Sequence, residues 1–407
     1  MKKMRHNLLI QNKTFLKVWL ANLSAEFGGI FYEVIIVWYL VSTRNSALIA
    51  GGVAIASLLG RLLGSALISE KVDKLDTKKV MAAIDFIRTI GMIVVTIFVH
   101  FFTRNLVGLY GISFVMALLS GSYTVVRRKS IAEIVEKNNL VEANALEGVS
   151  ASVVRVLSWG LGAVLISDLG LRFALGLNTI LSFISLIFVL CASWISVKAE
   201  VVEKTEKIQF LQGIKLISRY SNIKRIVSAE LVYYLMMGFF WVAFPLKAGE
   251  LGGGTTYALH GSIFGIGWLI ASLYLGSKKN IVRVGLMYTA GVVIYSVGNI
   301  FVAWAGFSWI FLLGVFISGL GSAYWETGKP TIFHTTIPTA DIGKVFSVFE
   351  SVINVSSIPA FIIGGILVDR FSSTAIMVII AVLQIVPISM IITKKSLTSF
   401  RPETQDG

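Results

Sequence analysis

Long apolar blocks with almost no charge run the length of this chain. A block of about 20 such residues crosses a bilayer as one helix, because only a helix or a closed barrel satisfies its own backbone donors and acceptors in lipid. Twelve blocks can be marked, near 15–41, 47–69, 80–101, 106–126, 146–167, 171–195, 223–246, 256–276, 282–304, 307–327, 345–368 and 372–393. With 56% hydrophobic and 14% charged residues over 407 positions, against roughly 45 to 50% and about 25% in soluble domains, a water-soluble fold is excluded. The connections are short except for residues 197–222 (VKAEVVEKTEKIQFLQGIKLISRYSN), which are polar and charged and separate six blocks from six. The expectation is an all-α membrane protein of twelve transmembrane helices. It divides into an N-terminal six-helix bundle (1–196), a cytoplasmic linker (197–222), a C-terminal six-helix bundle (223–394) and a cytoplasmic tail (395–407).

The net charge of +14 would suggest a nucleic-acid partner if it formed one solvated patch. Instead Lys and Arg recur in short clusters between apolar blocks, and they mark the cytoplasmic side. With the N-terminus inside, the outer loops hold only Arg44, Arg104, Arg172, Lys247 and Arg370. The inner segments hold clusters such as Lys71 to Lys79, Arg127-Arg128-Lys129, Lys198 to Arg225 and Lys329. Both termini are therefore expected in the cytoplasm, with no nucleic-acid partner. The opening MKKMRH resembles a signal-peptide n-region, but the apolar stretch after it is too long for a cleaved h-region and reads as a retained first helix. One cysteine, Cys191, sits in an apolar run, which excludes an internal disulfide. The four histidines (His6, His100, His260, His334) have no metal-ligand spacing. No metal and no cofactor is expected.

The halves repeat. Ser24-Ala25-Glu26 returns as Ser228-Ala229-Glu230. Gly121-Ser122 with Lys129 returns as Gly321-Ser322 with Lys329, and Glu147 with Gly162 returns as Glu350 with Gly365. Parallel six-helix repeats are the architecture of one large class of secondary transporters. Several motifs narrow the resemblance: VDKLDTKKV (72–80) followed by Asp85-x-x-Arg88, Glu142-Ala-Asn-Ala-Leu146, FALGLNTILSF (173–183), GIKLISRYSNIKRIV (213–227) and GKVFSVFE (343–350). With them the chain resembles the major facilitator superfamily, and within it the macrolide-efflux-type drug exporters. It departs from the usual patterns at Ser69, where the loop motif has Gly, and at Ser158 to Ala163, where antiporters often carry Gly-Pro-x-x-Gly-Gly. The resemblance implies two pseudo-symmetric six-helix bundles, the major facilitator fold, with the first and seventh helices on opposite sides of a central cavity. It also implies that the carboxylate of Asp73 sits at the start of the eleventh helix and latches the cytoplasmic side.

No GxxxxGK[ST], HExxH or GxSxG occurs, so an enzyme is not expected. Paired glycines such as Gly160/Gly162 and Gly319/Gly321 read as sites of close helix packing. The informative residues are ionisable groups within the blocks, where a mid-helix charge costs about 2.5 to 3.5 kcal/mol on insertion scales. Glu26 lies about 13 Å deep and Arg61 about 12 Å deep on the neighbouring block, which permits a pair. Glu33 is two turns further along, and Glu230 is the repeat image of Glu26. These four are the proton-coupling candidates, since burial favours a protonated carboxylate and a nearby Arg the ionised one; a permanent structural pair is the alternative. Asp73, Lys74, Lys78, Asp85 and Arg88 are either a gate or a solvated turn with flanking charges. Trp159, Trp241 and Trp325, with Glu326, could line a cavity for an amphipathic substrate, or serve core packing. Glu326 and Lys329, one turn apart, can also pair locally.

The function expected is export of small amphipathic compounds, macrolide-like or other drugs, by proton antiport. Two alternatives stay open: an exporter or flippase of an endogenous product such as a siderophore or lysolipid, and a membrane sensor that binds without transporting. The partners are a small-molecule substrate, protons and membrane lipid, with no oligomer required. The setting is a cell membrane, and the richness in Lys, Ile and Asn points to a bacterium.

Overall fold

The computed structural model describes residues 8–69, 71–136, 139–196, 206–277, 283–393 and 395–400. The side chain of Asp73 lies outside that description, as do both extreme termini, residues 197–205 of the linker and 401–407 of the tail. Every element among the described residues is helical. In chain order they are α1 (Leu8–Gln11), α2 (Lys13–Arg44), α3 (Ala47–Ser69), a 3-10 turn (Val72–Lys74), α4 (Thr77–Ile97), α5 (Val99–Arg104), α6 (Leu106–Ile134) and α7 (Leu140–Cys191). There follow α8 (Glu206–Arg219), α9 (Ser221–Ser277), α10 (Val284–Trp304), α11 (Ser308–Thr336), α12 (Thr339–Arg370), α13 (Ser373–Leu383), α14 (Ile385–Ile392) and α15 (Lys395–Thr398).

Among the described residues ten helices are long and apolar enough to cross a membrane. The 52-residue α7 and the 57-residue α9 would run about 78 and 86 Å if straight, more than twice a hydrocarbon core of about 30 Å. Each is broken by glycine. Gly170 adopts φ 82° and Gly253 φ 63°, backbone conformations that a side chain would strain. With these breaks α7 and α9 each hold two of the twelve expected spans.

Contacts divide the chain into two units, one of Met1–Leu40 with Gly52–Val202, the other of Val41–Gly51 with Glu203–Gly407. In both units burial is inverted relative to a soluble protein. Large apolar side chains such as Leu63, Phe86, Leu190, Leu273 and Ile363 face outward, while Asp85, Arg88, Glu230 and Lys329 are buried. Lipid tails solvate the former as well as a core would. Small residues then allow helices to touch. A Cβ on Gly60, Gly64 or Gly121 would collide with facing backbone between α3 and α6, and Ser122 Oγ donates to Gly64 O there at 2.9 Å. In the second unit the expected packing role of Gly319 and Gly321 holds, against α9 and α10 respectively.

Two expected boundaries move. The helices α6 and α11 run on to Ile134 and Thr336, so Arg127 and Lys329, counted from sequence among the loop cations, belong to helix interiors. An apolar block ends at its first charge, whereas a helix continues while its backbone bonds can be made. The linker also contains α8, where Gly213 lets the helix approach the backbone of Lys344 at the start of α12.

Candidate functional site

In the second unit four helices bring polar groups to one buried point. Glu230 lies nine residues into α9, about 14 Å along its axis, and is 1% exposed. Tyr233 and Tyr234 follow it by one turn on the same face. From α10 the Tyr288 hydroxyl donates to Glu230 Oε1 at 2.9 Å, and from α11 the Trp325 indole N–H donates to the same oxygen. Glu230 Oε2 has no hydrogen bond and faces Lys329 Nζ at 3.6 Å. That ammonium, itself 4% exposed, donates to Glu326 Oε1 at 2.8 Å. It stands 5.2 Å from the Trp325 ring, 5.3 Å from Phe349 and 5.9 Å from Tyr234, within cation–π range of all three. Tyr233 holds Trp325 edge-on at 4.4 Å between ring centres. On α12, Glu350 lies within electrostatic reach of Lys329 and Glu326. Pro330, inside α11, has no N–H to give the carbonyl of Glu326.

The first unit gathers its charges differently. Arg127 Nη1 from α6 lies 3.4 Å from Glu26 Oε2 on α2 and 3.2 Å from Glu147 Oε2 on α7. Asn22 Nδ2 donates to Glu147 Oε1 at 3.3 Å, and the Tyr123 hydroxyl donates to Asn22 Oδ1 at 3.3 Å. Arg61 pairs with Glu33 at 2.6 Å instead of with Glu26, which corrects the pairing inferred from depth. The reason is side-chain direction. Helical side chains lean toward the start of their own helix, so Arg61 on α3 extends toward residue 47, the end at which Glu33 of antiparallel α2 lies. The same lean draws Arg127 back along α6 toward Glu26.

A third group is fully internal. Arg88 Nη2 donates to Ala25 O at 2.9 Å, Arg88 Nη1 lies 3.4 Å from Asp85 Oδ1, and Ser185 Oγ donates to Asp85 Oδ2 at 2.6 Å. These bonds tie α4 to α2 and α7. A cavity of about 30 Å³ opens beside Arg88 and Glu33, lined also by Tyr32, Ser57, Ser113 and Asn178; that is room for water, which needs roughly 10 to 15 Å³. Asp76 caps α4 by accepting from Lys79 N at 3.1 Å, Lys78 Nζ donates to Ala192 O at 2.6 Å beyond the end of α7, and Lys74 is exposed.

A model of the transmembrane secretion effector family matches residues 9–385. The chain belongs to that family. It is 22% identical over 181 residues to the uncharacterized MFS-type transporter YfmI of Bacillus subtilis (strain 168), covering 44% of this chain and 45% of that one. It thus matches about half the length of this curated relative. Its fold resembles that of the nucleoside transporter NupG, with TM-score 0.76 at 12% identity over 95% of this chain and 100% of the other. It also resembles a structure from the proton dependent oligopeptide transporters, with TM-score 0.71 at 14% identity over 95% and 99%. A bacterial homolog of the human lysosomal transporter Spinster gives TM-score 0.71 at 11% identity over 95% and 97%. Such identities speak to fold alone. The chain is an all-α, multi-pass membrane protein of the MFS type.

Within the fold, the residues singled out by sequence separate. Trp325 and Glu326 join Glu230 in one cluster. Trp241 lies 11 residues past Glu230, about 16 Å along the helix, packed on Phe244 and His260. Trp159 is half-buried in the first unit. Sequence reasoning missed Arg127 because it opens a run of three cations and reads as loop, and it missed Tyr288, Tyr234 and Phe349 because aromatic residues in apolar blocks carry no distinguishing signal. Glu147 and Lys329 were within reach, since both belong to the repeat.

Proposed function

We propose that this transporter exports a small amphipathic compound in exchange for protons, with Glu230 as the principal coupling acid and Glu26, Glu33 and Arg61 in supporting roles. The observation that carries the reading is a carboxylate 1% exposed, nine residues into the first span of α9, whose second oxygen has only an ion pair to Lys329. An ionisable residue at such depth is costly and marks an ion or substrate path. A proton and the Lys329 ammonium compete for the same oxygen, so proton uptake and rearrangement of the lysine are one event. The family's description as a secretion effector supports the outward direction, and it keeps an endogenous secreted product beside a drug as cargo. Asp73, Lys74 and Lys78, with Asp85 and Arg88, form the proposed cytoplasmic gate. Trp325 and Glu326 belong to the substrate pocket, with Trp159 and Trp241 as further aromatic contacts. The proposed setting is a bacterial cell membrane with both ends in the cytoplasm, a setting that the Bacillus relative supports.

One proton exchanged for a neutral cargo draws about 2.3 kcal/mol per 100 mV, roughly a fifty-fold gradient. The test is uphill export in proteoliposomes under an imposed pH gradient, beside downhill counterflow. Glu230→Gln keeps the acceptor for Tyr288 and Trp325 but cannot cycle a proton, so uphill export should vanish while counterflow persists. Uphill export at the wild-type rate would remove Glu230 from coupling, and counterflow of no compound would favour a sensor.

A further inference from the structure

The linker helix α8 packs on the second unit by one face only. Gly213 and Ile217 are buried and Leu216 partly so, the two apolar residues joining the core that α9 and α12 share. The outward part of the helix divides into two stripes. Leu211 and Ile214 are 59% and 46% exposed, and Ser218 beside them turns its hydroxyl back on its own helix, donating to Lys215 O at 2.7 Å. Lys215 and Arg219, both exposed, form the second stripe. At about 100° per residue, the packed, apolar and cationic stripes stand roughly 90 to 140° apart around the axis. Among the described residues neither Lys215 and Arg219 nor Lys224 and Arg225 at the start of α9 pair with an acid. Arg225 Nη2 donates to Thr393 Oγ1 at 3.3 Å, next to the exposed Ile392 that ends α14, so these cations adjoin an outward apolar surface.

We propose that α8 is a membrane-surface helix that docks on anionic phospholipid of the adjoining leaflet, the cytoplasmic one in the proposed setting. Leu211 and Ile214 enter the acyl boundary, and Lys215, Arg219, Lys224 and Arg225 meet the headgroup phosphates. A linker surrounded by water gains nothing from an outward Leu and Ile, and an apolar partner alone would leave four cations uncompensated. An apolar stripe bordered by Lys and Arg suits a helix lying in the interface, where long cationic side chains extend from the apolar edge to the phosphates. Each cation near an anionic surface strengthens attachment by about fivefold. The inference concerns lipid and is independent of the cargo and of proton coupling.

The test places the full-length protein, one copy per nanodisc, in phosphatidylcholine alone or in an equal mixture with phosphatidylglycerol. Spin labels are attached at Leu211→Cys, Ile214→Cys and, as the control on the cationic side, Gln212→Cys, each in a Cys191→Ser background. In the anionic discs the first two labels should collide with oxygen and be shielded from a water-soluble nickel chelate, and the third should show the reverse. Amide exchange across residues 206–219 of the wild type should be slower with phosphatidylglycerol by about fivefold for each cation that engages. Lys215→Gln with Arg219→Gln should remove about 25-fold of that slowing, while Lys215→Arg with Arg219→Lys should keep it. Chelate access at 211 and 214 equal to that at 212 in both lipids, or one exchange rate in both, would overturn the proposal. Shielding confined to discs that hold two copies would give this face to a second copy and overturn it as well. The wild-type exchange measurement decides even where a variant does not fold.

Discussion

Each half of the protein clasps a cation with acids from repeated positions, but the two clasps are built differently. In the first, Arg127 bridges Glu26 and Glu147, with side chains 19%, 27% and 14% exposed. In the second, Lys329 and Glu230 are 4% and 1% exposed, and aromatic rings close over them. The acids kept their places through the repeat while the cation did not. Aligning Gly121-Ser122 with Gly321-Ser322 pairs Lys129 with Lys329, yet Lys129 bonds Val72 O at 2.7 Å and lies 3.6 Å from Glu133, and Arg127 performs the bridging. An Arg fork can hold two carboxylates and stays charged, whereas a Lys ammonium is a movable point charge. On the proposed function the first half holds a static clasp and the second a switch.

The widest expected difference is in stability. Glu230→Leu leaves two buried donors and the inner side of Lys329 without a partner, and should cost about 3 to 5 kcal/mol. Glu26→Leu leaves Arg127 with Glu147 in a wetter place and should cost no more than about 1 kcal/mol. Thermal unfolding in detergent compares the two, and equal losses would break the contrast. A middle-sized effect is expected in coupling. Glu230→Gln alone should abolish proton-driven export, while Glu26→Gln should only slow it, because Glu147 remains on Arg127. The Glu26→Gln/Glu147→Gln double variant should then fall toward the Glu230→Gln level, and a double variant no slower than either single one would remove the first clasp from transport. The smallest effect belongs to Arg61→Gln. Its pair with Glu33 is 48% and 32% exposed, so the melting temperature should move by the equivalent of about 0.2 to 1 kcal/mol; a larger fall would mean that Arg61 braces α2 against α3.

The sequence by itself determined that the chain crosses a membrane many times as helices, and it offered two related halves and the acids within them as expectations. Those conclusions follow from the length of apolar runs, the side on which Lys and Arg fall, and the cost of charge in lipid, all of which act along the chain. Glu230 and Glu326 could be named for the same reason, since a charge in an apolar run is visible without neighbours. Partners were another matter. Depth along a helix permitted Glu26 with Arg61, but direction around the helix gave Arg61 to Glu33 and brought in Arg127 from what reads as a loop. The aromatic enclosure of Lys329 combines residues from α9, α11 and α12, and Tyr288 reaches Glu230 from α10. Only the tertiary structure decided those meetings, because spacing along the chain states how deep a side chain lies and leaves open which neighbouring helix it faces.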